Sequence, residues 1–307
     1  MTEHGAGPDD RPATLARLRT GRLRTGRLDI VATPIGNLGD LSPRAREALA
    51  GADLIAAEDT RRTGLLLGSF GIKRPLRSLH AHNERERAGA LIDLMQAGQT
   101  VALVSDAGTP LLSDPGAELV RLAIAADIEV RAIPGATALA TALAVSGLGG
   151  SRFCFEGFIE AKPAQRRRQL ADLAGEARTM VFFEAPHRIA ESLQDCVQSF
   201  GAERPGCVAR ELTKVFESVY RGSLQQLAER AALDPDLRRG EITLVIGGAP
   251  AAASNDAAAA QRLATTLAVL LEALPPSRAA AVAARLTGAR RSDAYQAALR
   301  LAGRNEA

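Results

Sequence analysis

Short apolar runs alternate with stretches of helical periodicity along the first half of this 307-residue chain. The run Val101–Val104 is apolar at every position, which is typical of a parallel strand that is covered on both faces. Each run leads through a turn rich in Gly, Pro and Asp into a stretch with the spacing of an amphipathic helix. This strand–loop–helix order recurs five times up to Val145. It predicts an α/β domain with a mainly parallel sheet and right-handed crossovers.

The second half has a different pattern, with strands that are not always separated by helices. Its predicted strands are Phe153–Phe158, Thr179–Phe183, Cys207–Arg210, Glu217–Arg221 and Ile242–Ile246. This spacing predicts an α+β domain with a mixed sheet. The Gly-rich sequence GLGGS at residues 147–151 is the best boundary between the two halves.

The complete domain prediction also includes both ends of the chain. We expect a disordered basic arm over residues 1–27, an α/β domain over 28–147, an α+β domain over 148–249, and an Ala-rich linker over 250–260. Residues 261–307 are expected to form a helical appendage, with helices at Gln261–Ala273, Ser277–Leu286 and Ser292–Leu301. So short an appendage buries little apolar surface by itself, which suggests that it docks or contacts nucleic acid.

Composition excludes several classes of protein. With 46% hydrophobic residues the chain can bury sizeable cores, yet no apolar run approaches the ~18 residues that span a membrane. The first residues are polar and lack a signal-peptide core. Cys154, Cys196 and Cys207 show neither metal-ligand spacing nor a disulfide framework. We therefore expect a cytoplasmic protein that has no membrane contact and no metal.

Arginine is distributed unevenly and indicates a polyanionic partner. Residues 11–27 carry six arginines and no acid, and residues 262–307 carry seven arginines and three acids. Arg166–Arg168 forms a third cluster. Arginine suits bidentate contacts with phosphate. The alternative is a solvated surface in an Arg-rich and Ala-rich chain.

Two loops that follow predicted strands concentrate candidate chemistry. Ser105–Gly116 contains small residues that allow a ligand close to the backbone, and Asp106 lies at the carboxyl end of a strand, where open α/β sheets bind ligands. Asp114 and Pro115 are predicted to cap the next helix. The second loop, Glu58–Arg62, joins two carboxylates to two arginines. Its alternative role is a helix cap with surface ion pairs.

Six motifs together resemble one family. They are ATPIGNLGD (32–40), AEDTRRTGLLL (57–67), HNE (82–84), SDAGTPLLSDPG (105–116), FFEAPHRI (182–189) and ARELTKVFE (209–217). In this order they are similar to the RsmI family of small-subunit ribosomal RNA methyltransferases, which have the tetrapyrrole-methylase fold. The resemblance covers the chain from about residue 28 through the C-terminal helices.

The resemblance implies a fold, a cofactor and a substrate. Two α/β domains would form a cleft that holds S-adenosylmethionine, and the methyl group would go to the ribose 2'-oxygen of a cytidine in the decoding region of 16S rRNA. Family members are usually homodimers. Carried over by position, the expected cofactor contacts are Pro34, Ile35, Asp106, Thr109, Thr137, Ala138, Phe183, Leu212 and Thr243.

The same chemistry requires groups that move a proton and groups that hold phosphates. The candidates at the reacting centre are Glu58, Asp59, Glu211 and Lys214, the last as a base if burial or Arg210 depresses its pKa. A salt-bridge network that fixes the two domains is the alternative role for these residues. The residues assigned to RNA phosphates are Arg61, Arg62, His187 and Arg188.

Two other functions remain open at this point. A methyltransferase acting on a tetrapyrrole carbon would have the same fold, but it would not need the arginine clusters or the C-terminal helices. A non-catalytic RNA-binding protein could keep the fold as a scaffold, although the intact central loop argues against decay.

Overall fold

The computed structural model describes residues 26–81 and 83–302, with the backbone alone for residues 251–258 and 302. These residues form two compact units. The first contains the described residues up to Pro34 together with Leu38–Ala136. The second contains Ile35–Asn37 and the described residues from Thr137 onward.

The first unit is a five-stranded parallel sheet with four helices. Its strands are β1 (Arg27–Val31), β2 (Leu54–Ala57), β3 (Leu76–Ser78), β4 (Thr100–Val104) and β5 (Glu129–Ile133). Its helices are α1 (Pro43–Gly51), α2 (Thr60–Ser69), α3 (Glu84–Gln96) and α4 (Ala117–Ala125). The strand order is β3-β2-β4-β1-β5, and every neighbouring pair is parallel.

The helices cover both faces of this sheet. Apolar residues of α1 and α2 join one core cluster, which includes Leu49 and Leu67, and residues of α3 and α4 join another, which includes Leu91 and Leu119. The adjacent central strands β1 and β4 therefore lead to helices on opposite faces. In an open α/β sheet, this reversal marks the point at whose carboxyl edge ligands bind.

The start of α4 differs from the sequence prediction. Asp114 does not cap the helix, which begins at Ala117 after Gly116. The free N–H groups of Glu118 and Leu119 instead donate to Glu84 Oε1 of α3, at 2.7 and 3.2 Å. A carboxylate from a neighbouring helix satisfies donors that a local cap would otherwise take, and this leaves Asp114 available for other contacts.

The second unit contains a mixed sheet. Its strands are β6 (Phe153–Phe158), β7 (Thr179–Glu184), β8 (Pro205–Arg210), β9 (Ser218–Ser223) and β10 (Ile242–Ile246), in the order β6-β7-β10-β8-β9. Only β6 and β7 pair in parallel. The fold class predicted from the sequence, an α/β methylase-like fold with a parallel and a mixed sheet plus C-terminal helices, is thus confirmed.

Helices cover the two faces of the mixed sheet unequally. One face packs against α6 (Pro163–Asp172), α7 (Ile189–Phe200) and α8 (Leu224–Leu233) around a large core. The other face contacts α5 (Ala138–Ser146) through β10 and β8. Because α5 packs on this sheet, the second unit begins at Thr137, earlier than the boundary predicted near residue 147.

Three helices end the described chain. They are α9 (Ala251–Leu271), α10 (Pro276–Thr287) and α11 (Arg291–Ala302), and they share a small apolar core that includes Leu263, Leu267 and Ala298. The linker predicted for residues 250–260 is helical from Ala251, since its alanines favour helix and no glycine interrupts them.

Two further predictions concern the chain ends and membranes. Most of the basic arm predicted for residues 1–27 lies outside the described residues, although Arg27 begins β1. Among the described residues, no helix combines the length and apolar character needed to cross a membrane.

Candidate functional site

In the first unit, the loops after the two central strands are joined directly. Thr33 follows β1, and Gly108 follows β4. The N–H of Thr33 donates to the carbonyl of Gly108 at 2.9 Å, and the N–H of Gly108 donates back at 3.1 Å. This pair fixes both loops at the edge where the sheet's connections change face.

The loop after β4 is held in an unusual backbone conformation. Leu111 and Ser113 have left-handed φ angles of 76° and 69°, and Gly116 has a φ of 124°. A Cβ on Gly116 would lie 2.6 Å from Leu103 Cδ2, so this position requires glycine. Non-glycine residues in the left-handed region persist where the surroundings fix them, and they cluster at functional sites.

Three carboxylates meet at this edge. The pKa of Glu58 is raised by burial and by the charges of Asp114 and Asp106, against a smaller lowering by Arg62. The pKa of Asp114 is raised by burial and by Asp106, although a hydrogen bond with Ser105 opposes this. Asp106 Oδ1 accepts from the N–H of Asp59 at 3.0 Å, and Arg62 Nη1 lies 3.1 Å from Asp106 Oδ2. Among the described residues, Arg62 is therefore the one cation paired with this group of three carboxylates.

Asp59 and Arg61, next to this cluster, form an ion pair with each other. Asp59 is the N-cap of α2 and accepts from the N–H groups of Arg61 and Arg62 at 2.8 and 3.4 Å. Hydrogen bonds from Arg61 hold the pKa of Asp59 well below its usual range. Asp59 is thus a weak base, and the alternative role of helix cap describes its contacts better than direct catalysis. Arg61 and Arg62 are exposed, which is compatible with phosphate contacts.

This edge fits a cationic ligand such as S-adenosylmethionine. Among the described residues, Arg62 is the only cation that forms an ion pair with any of the three carboxylates, so a sulfonium or ammonium group would complement them. Two other predicted contacts also lie at this edge. Pro34 is buried directly after Thr33, and Thr109 Oγ1 donates to the carbonyl of Ala136 at 3.2 Å.

The second unit brings other predicted cofactor residues to one face of its sheet. Thr243 of β10 pairs in register with Phe183 of β7, so both side chains point to the same face. Their neighbours Phe182 and Leu244 belong to the large core on the opposite face. Phe183 and Thr243 therefore lie on the face that α5 contacts, and α5 begins with Thr137 as N-cap and Ala138 as its first residue.

An aromatic group surrounds one of these residues. The ring centroids of Phe155 and Phe158 lie 4.9 and 5.5 Å from that of Phe183, with edge-to-face geometry. Apolar aromatic surface of this kind suits a purine ring. The remaining predicted contacts, Ile35 and Leu212, are both buried in the second unit.

Lys214 and Glu211 form an ion pair in the loop after β8. Lys214 Nζ lies 2.7 Å from Glu211 Oε1 and 3.1 Å from Glu241 Oε2. Burial lowers the pKa of Lys214, but the hydrogen bonds to the two glutamates outweigh it, so that the pKa lies above its usual value. The depressed pKa that a lysine base requires is therefore absent, and Lys214 belongs to an ion-pair network within the second unit.

The same loop is shaped around Glu211. Burial raises the pKa of Glu211, but Lys214 and the N–H of Glu241 more than offset this and leave it lowered. Glu211 itself has a left-handed φ of 52°. A Cβ on Gly240 would lie 2.4 Å from Glu211 Cδ, so the carboxylate occupies space that only glycine leaves free.

Arg188 and His187, assigned to RNA phosphates from the sequence, have different surroundings. The Arg188 guanidinium donates to Glu184 Oε1 at 2.9 Å from Nε and 2.6 Å from Nη2. The Glu184 side chain is completely buried, and Arg188 is 19% exposed. Arg188 therefore neutralises a buried carboxylate rather than facing solvent. His187 is exposed in the 3₁₀ turn Pro186–Arg188.

Sequence reasoning missed two residues of these clusters. Asp114 was expected to cap a helix, and Glu241 lies outside all six motifs, 27 residues after Lys214. The spacing of Asp106 and Asp114 within one loop is a signal that could have indicated a shared cluster. Among the described residues, no group of three or more His, Cys, Asp or Glu side chains is arranged to hold a metal ion.

Comparisons with known families and structures agree with this architecture. The family model of the Tetrapyrrole (Corrin/Porphyrin) Methylases matches residues 27–228. The solved structure of the cobalamin biosynthetic enzyme cobalt precorrin-4 methyltransferase is similar, with a TM-score of 0.54 and 18% identity, over 72% of this chain and 94% of that one. The family model and the fold together assign the chain to the tetrapyrrole methylase family.

A second similar structure contains a bound ligand. Uroporphyrin-III C-methyltransferase from Thermus thermophilus, solved in complex with S-adenosylhomocysteine, gives a TM-score of 0.50 at 19% identity, over 72% of this chain and 97% of that one. At such identities the likeness shows the fold alone.

Sequence relatives define the family more narrowly. "Ribosomal RNA small subunit methyltransferase I" of Xylella fastidiosa strain Temecula1 is 54% identical over 88% of this chain and 98% of its own length. The same-named protein of Pseudomonas aeruginosa is 47% identical over 92% of this chain and all of its own length. The model of the RsmI C-terminal HTH domain matches residues 256–302. The chain belongs to the RsmI family, and the resemblance seen in its motifs is confirmed.

Proposed function

We propose that this chain is an S-adenosylmethionine-dependent methyltransferase of small-subunit ribosomal RNA. The observation that carries the proposal is the identity to relatives of that name over nearly their entire length, which includes the C-terminal HTH region. The two methylase structures described above share the fold at only 18% and 19% identity and do not define a substrate.

The finer proposal is methylation of the ribose 2'-oxygen of a cytidine in the decoding region of 16S rRNA. It rests on the resemblance of six motifs to the RsmI family. We further propose that the enzyme works in the cytoplasm as a homodimer.

The residues proposed to bind the cofactor are those that the motif resemblance implies. In the first unit these are Pro34, Asp106 and Thr109 at the carboxyl edge of the parallel sheet. In the second they are Ile35, Thr137, Ala138, Phe183, Leu212 and Thr243. S-adenosylmethionine supplies an electrophilic methyl group on a sulfonium. The carboxylate-rich edge around Asp106 suits its cationic part.

Glu58 is the residue we propose as proton acceptor for the attacking hydroxyl. A carboxylate with a raised pKa is a stronger base than an ordinary one, and the pKa of Glu58 is raised by burial and by Asp114 and Asp106. Asp59 is held well below its usual pKa by Arg61, and Lys214 stays protonated beside Glu211 and Glu241. Asp59, Glu211 and Lys214 are therefore proposed to position the loops.

The phosphates of the RNA are proposed to meet exposed cations. Arg61 and Arg62 project from the first turn of α2, with side chains 88% and 69% exposed, so phosphates can replace their partners Asp59 and Asp106. His187 is exposed as well.

The C-terminal helices are proposed to contact the same RNA. They expose six arginines that form no ion pair within the described part of the chain: Arg262, Arg278, Arg285, Arg290, Arg291 and Arg300. α10 and α11 are joined by the three residues 288–290. This is the short connection of a helix-turn-helix, whose second helix contacts nucleic acid.

A methyl-transfer assay tests the proposal. The purified protein, labelled S-adenosylmethionine and small subunits from a strain without this enzyme should give labelled RNA that yields 2'-O-methylcytidine on digestion. Glu58→Gln should lower the rate strongly. Glu118→Gln, which removes a carboxylate paired with Arg121 on the surface of α4, should not.

Two results would contradict it. Label on uroporphyrinogen III but not on ribosomal RNA would identify a small-molecule enzyme, and no transfer to either would favour a binding protein. A methyl group on a base rather than a ribose would overturn the finer proposal only.

A further inference from the structure

The loop between β8 and β9 carries two apolar side chains into solvent. Val215 is 92% exposed and Phe216 is 73% exposed. No other aromatic ring in the described part of the chain is so accessible, the next being Phe158 at 55%. Single exposed apolar residues are common on protein surfaces. Exposure alone therefore does not indicate that the Phe216 ring binds a ligand, but the loop and the charges around it do.

The loop that carries Phe216 is rigid. Glu211 and Thr213 have left-handed φ angles of 52° and 66°. The N–H of Lys214 donates to the carbonyl of Glu211 at 3.0 Å, and the N–H of Glu217 donates to the carbonyl of Lys214 at 3.1 Å. The ring is therefore presented from a fixed backbone, and a ligand that covers it does not have to order the loop first.

The carboxylates and the arginines around the loop differ in their contacts. Glu211 and Glu241 contact Lys214, whereas the exposed Glu217 accepts from the N–H of Thr213 and has no cation as ion-pair partner among the described residues. The nearby arginines, in contrast, donate to carbonyl groups or face solvent, and they form no ion pair among the described residues.

Arg210 links this positive surface to the ring. Its Nη1 donates to the carbonyl of Phe216 at 3.1 Å, and its Nε donates to the carbonyl of Arg239 at 2.8 Å. Arg238 and Arg239 are both exposed. Arg210 therefore contacts the backbone of both Phe216 and Arg239, and Arg210, Arg238 and Arg239 form no ion pair among the described residues.

The candidate partners for this surface are a second copy of the chain and RNA, and the charge of the arginines favours RNA. A second copy of this chain on the same patch would bring like-charged arginines together, which is unfavourable. RNA brings phosphates to the arginines and a flat base to the ring. We propose that Phe216 is a stacking platform for an unpaired nucleobase of the RNA substrate, with Arg210, Arg238 and Arg239 beside the flanking phosphates. This inference rests on the proposed function and specifies a part of the RNA-binding surface.

Binding of a defined RNA to the full chain tests this inference. The probe is a short fluorescein-labelled oligocytidylate, and fluorescence anisotropy gives its Kd. Replacing the ring by an aliphatic side chain, Phe216→Leu, should weaken binding about 5- to 150-fold, as expected for the loss of one stacked base. Phe216→Trp should retain wild-type affinity. Val215→Ala is the matched control, since it removes a more exposed apolar side chain that cannot stack.

Salt dependence separates stacking from charge. The slope of log Kd against log salt should be the same for Phe216→Leu and the wild type, because the phosphate contacts remain. In methyl transfer to small subunits, Phe216→Leu should raise KM more than it lowers kcat.

Three results would overturn the inference. The first is a Kd of Phe216→Leu equal to that of the wild type. The second is a loss of affinity in Val215→Ala as large as that in Phe216→Leu. A change of sedimentation coefficient in Phe216→Leu would identify the patch as an interface between copies. A different result would show that only the proposed function is wrong. In that case the wild type transfers no methyl group to RNA, while RNA binding still depends on the aromatic ring.

Discussion

The buried ion pair between Arg188 and Glu184 makes the sharpest stability prediction. The Glu184 side chain has no exposure, and its Oε1 accepts two hydrogen bonds from Arg188 and one from the N–H of Ala185 at 2.6 Å. Ser192 Oγ donates to Oε2. Replacing Arg188→Met removes the only cation in ion-pair contact with Glu184 among the described residues and keeps most of the side-chain length.

The expected loss follows from leaving a charge buried without its partner. Breaking such a pair from one side costs about 3–5 kcal/mol. For a unit of this size, each kcal/mol lowers Tm by about 2–4 °C, so the second unit should melt about 6–20 °C earlier. Circular dichroism or scanning calorimetry measures the transition. RNA affinity of the folded variant, measured at low temperature, should change little.

Two further variants test whether the loss of stability comes from the buried, unpaired charge of Glu184. The double variant Glu184→Gln with Arg188→Met removes both charges and should recover part of the lost stability. Arg61→Met breaks an ion pair with Asp59 in which the arginine is 88% exposed, and it should leave Tm nearly unchanged. The reasoning is refuted if Arg188→Met melts with the wild type but binds RNA weakly, because Arg188 would then contact phosphates as its sequence motif suggested.

The remaining predictions concern the cofactor, the C-terminal helices and pH. Asp106→Asn keeps an acceptor for the N–H of Asp59 but removes a charge; calorimetry should show S-adenosylmethionine binding about tenfold weaker, the loss of one charged hydrogen bond, and equal affinity in a folded variant would exclude Asp106 as a contact. Deleting residues 251–307 removes α9–α11 with their own core, so RNA affinity and its salt dependence should fall while cofactor affinity stays; unchanged RNA binding would assign these helices to folding or dimerisation. The rate kcat/KM should fall on the acid side around the pKa of Glu58, above the ordinary 4.5, because the base must be deprotonated. Asp114→Asn removes a repelling charge and should move this midpoint to lower pH, and a midpoint that does not move would argue against Glu58 as the base.

The sequence predicted the elements of this fold well because their patterns are local. Buried strands such as β4 read as continuous apolar runs, and α1 begins at Pro43 behind a Ser42 cap that accepts from the N–H of Ala45. The cap of α4 was not predictable in this way. Its donors are satisfied by Glu84, which is 34 residues away in sequence.

The surroundings of individual charged residues could not be predicted from the sequence. From the sequence, Lys214 was a candidate base and Arg188 a candidate phosphate ligand. Tertiary contacts with Glu211 and Glu241 hold the first protonated, and the buried Glu184 engages the second. The sequence contains all of these residues, but it does not give their distances or exposure.

By itself, the sequence determined the family, the two kinds of sheet and the loops in which the polar residues concentrate, because period, turn residues and motif order are all written along the chain. Only the tertiary structure decided which carboxylates gather beside Asp106, which cations are already paired, and which side chains, such as Phe216, remain in solvent. A pKa and an ion pair depend on distance and burial in space, and residues far apart in the chain set both.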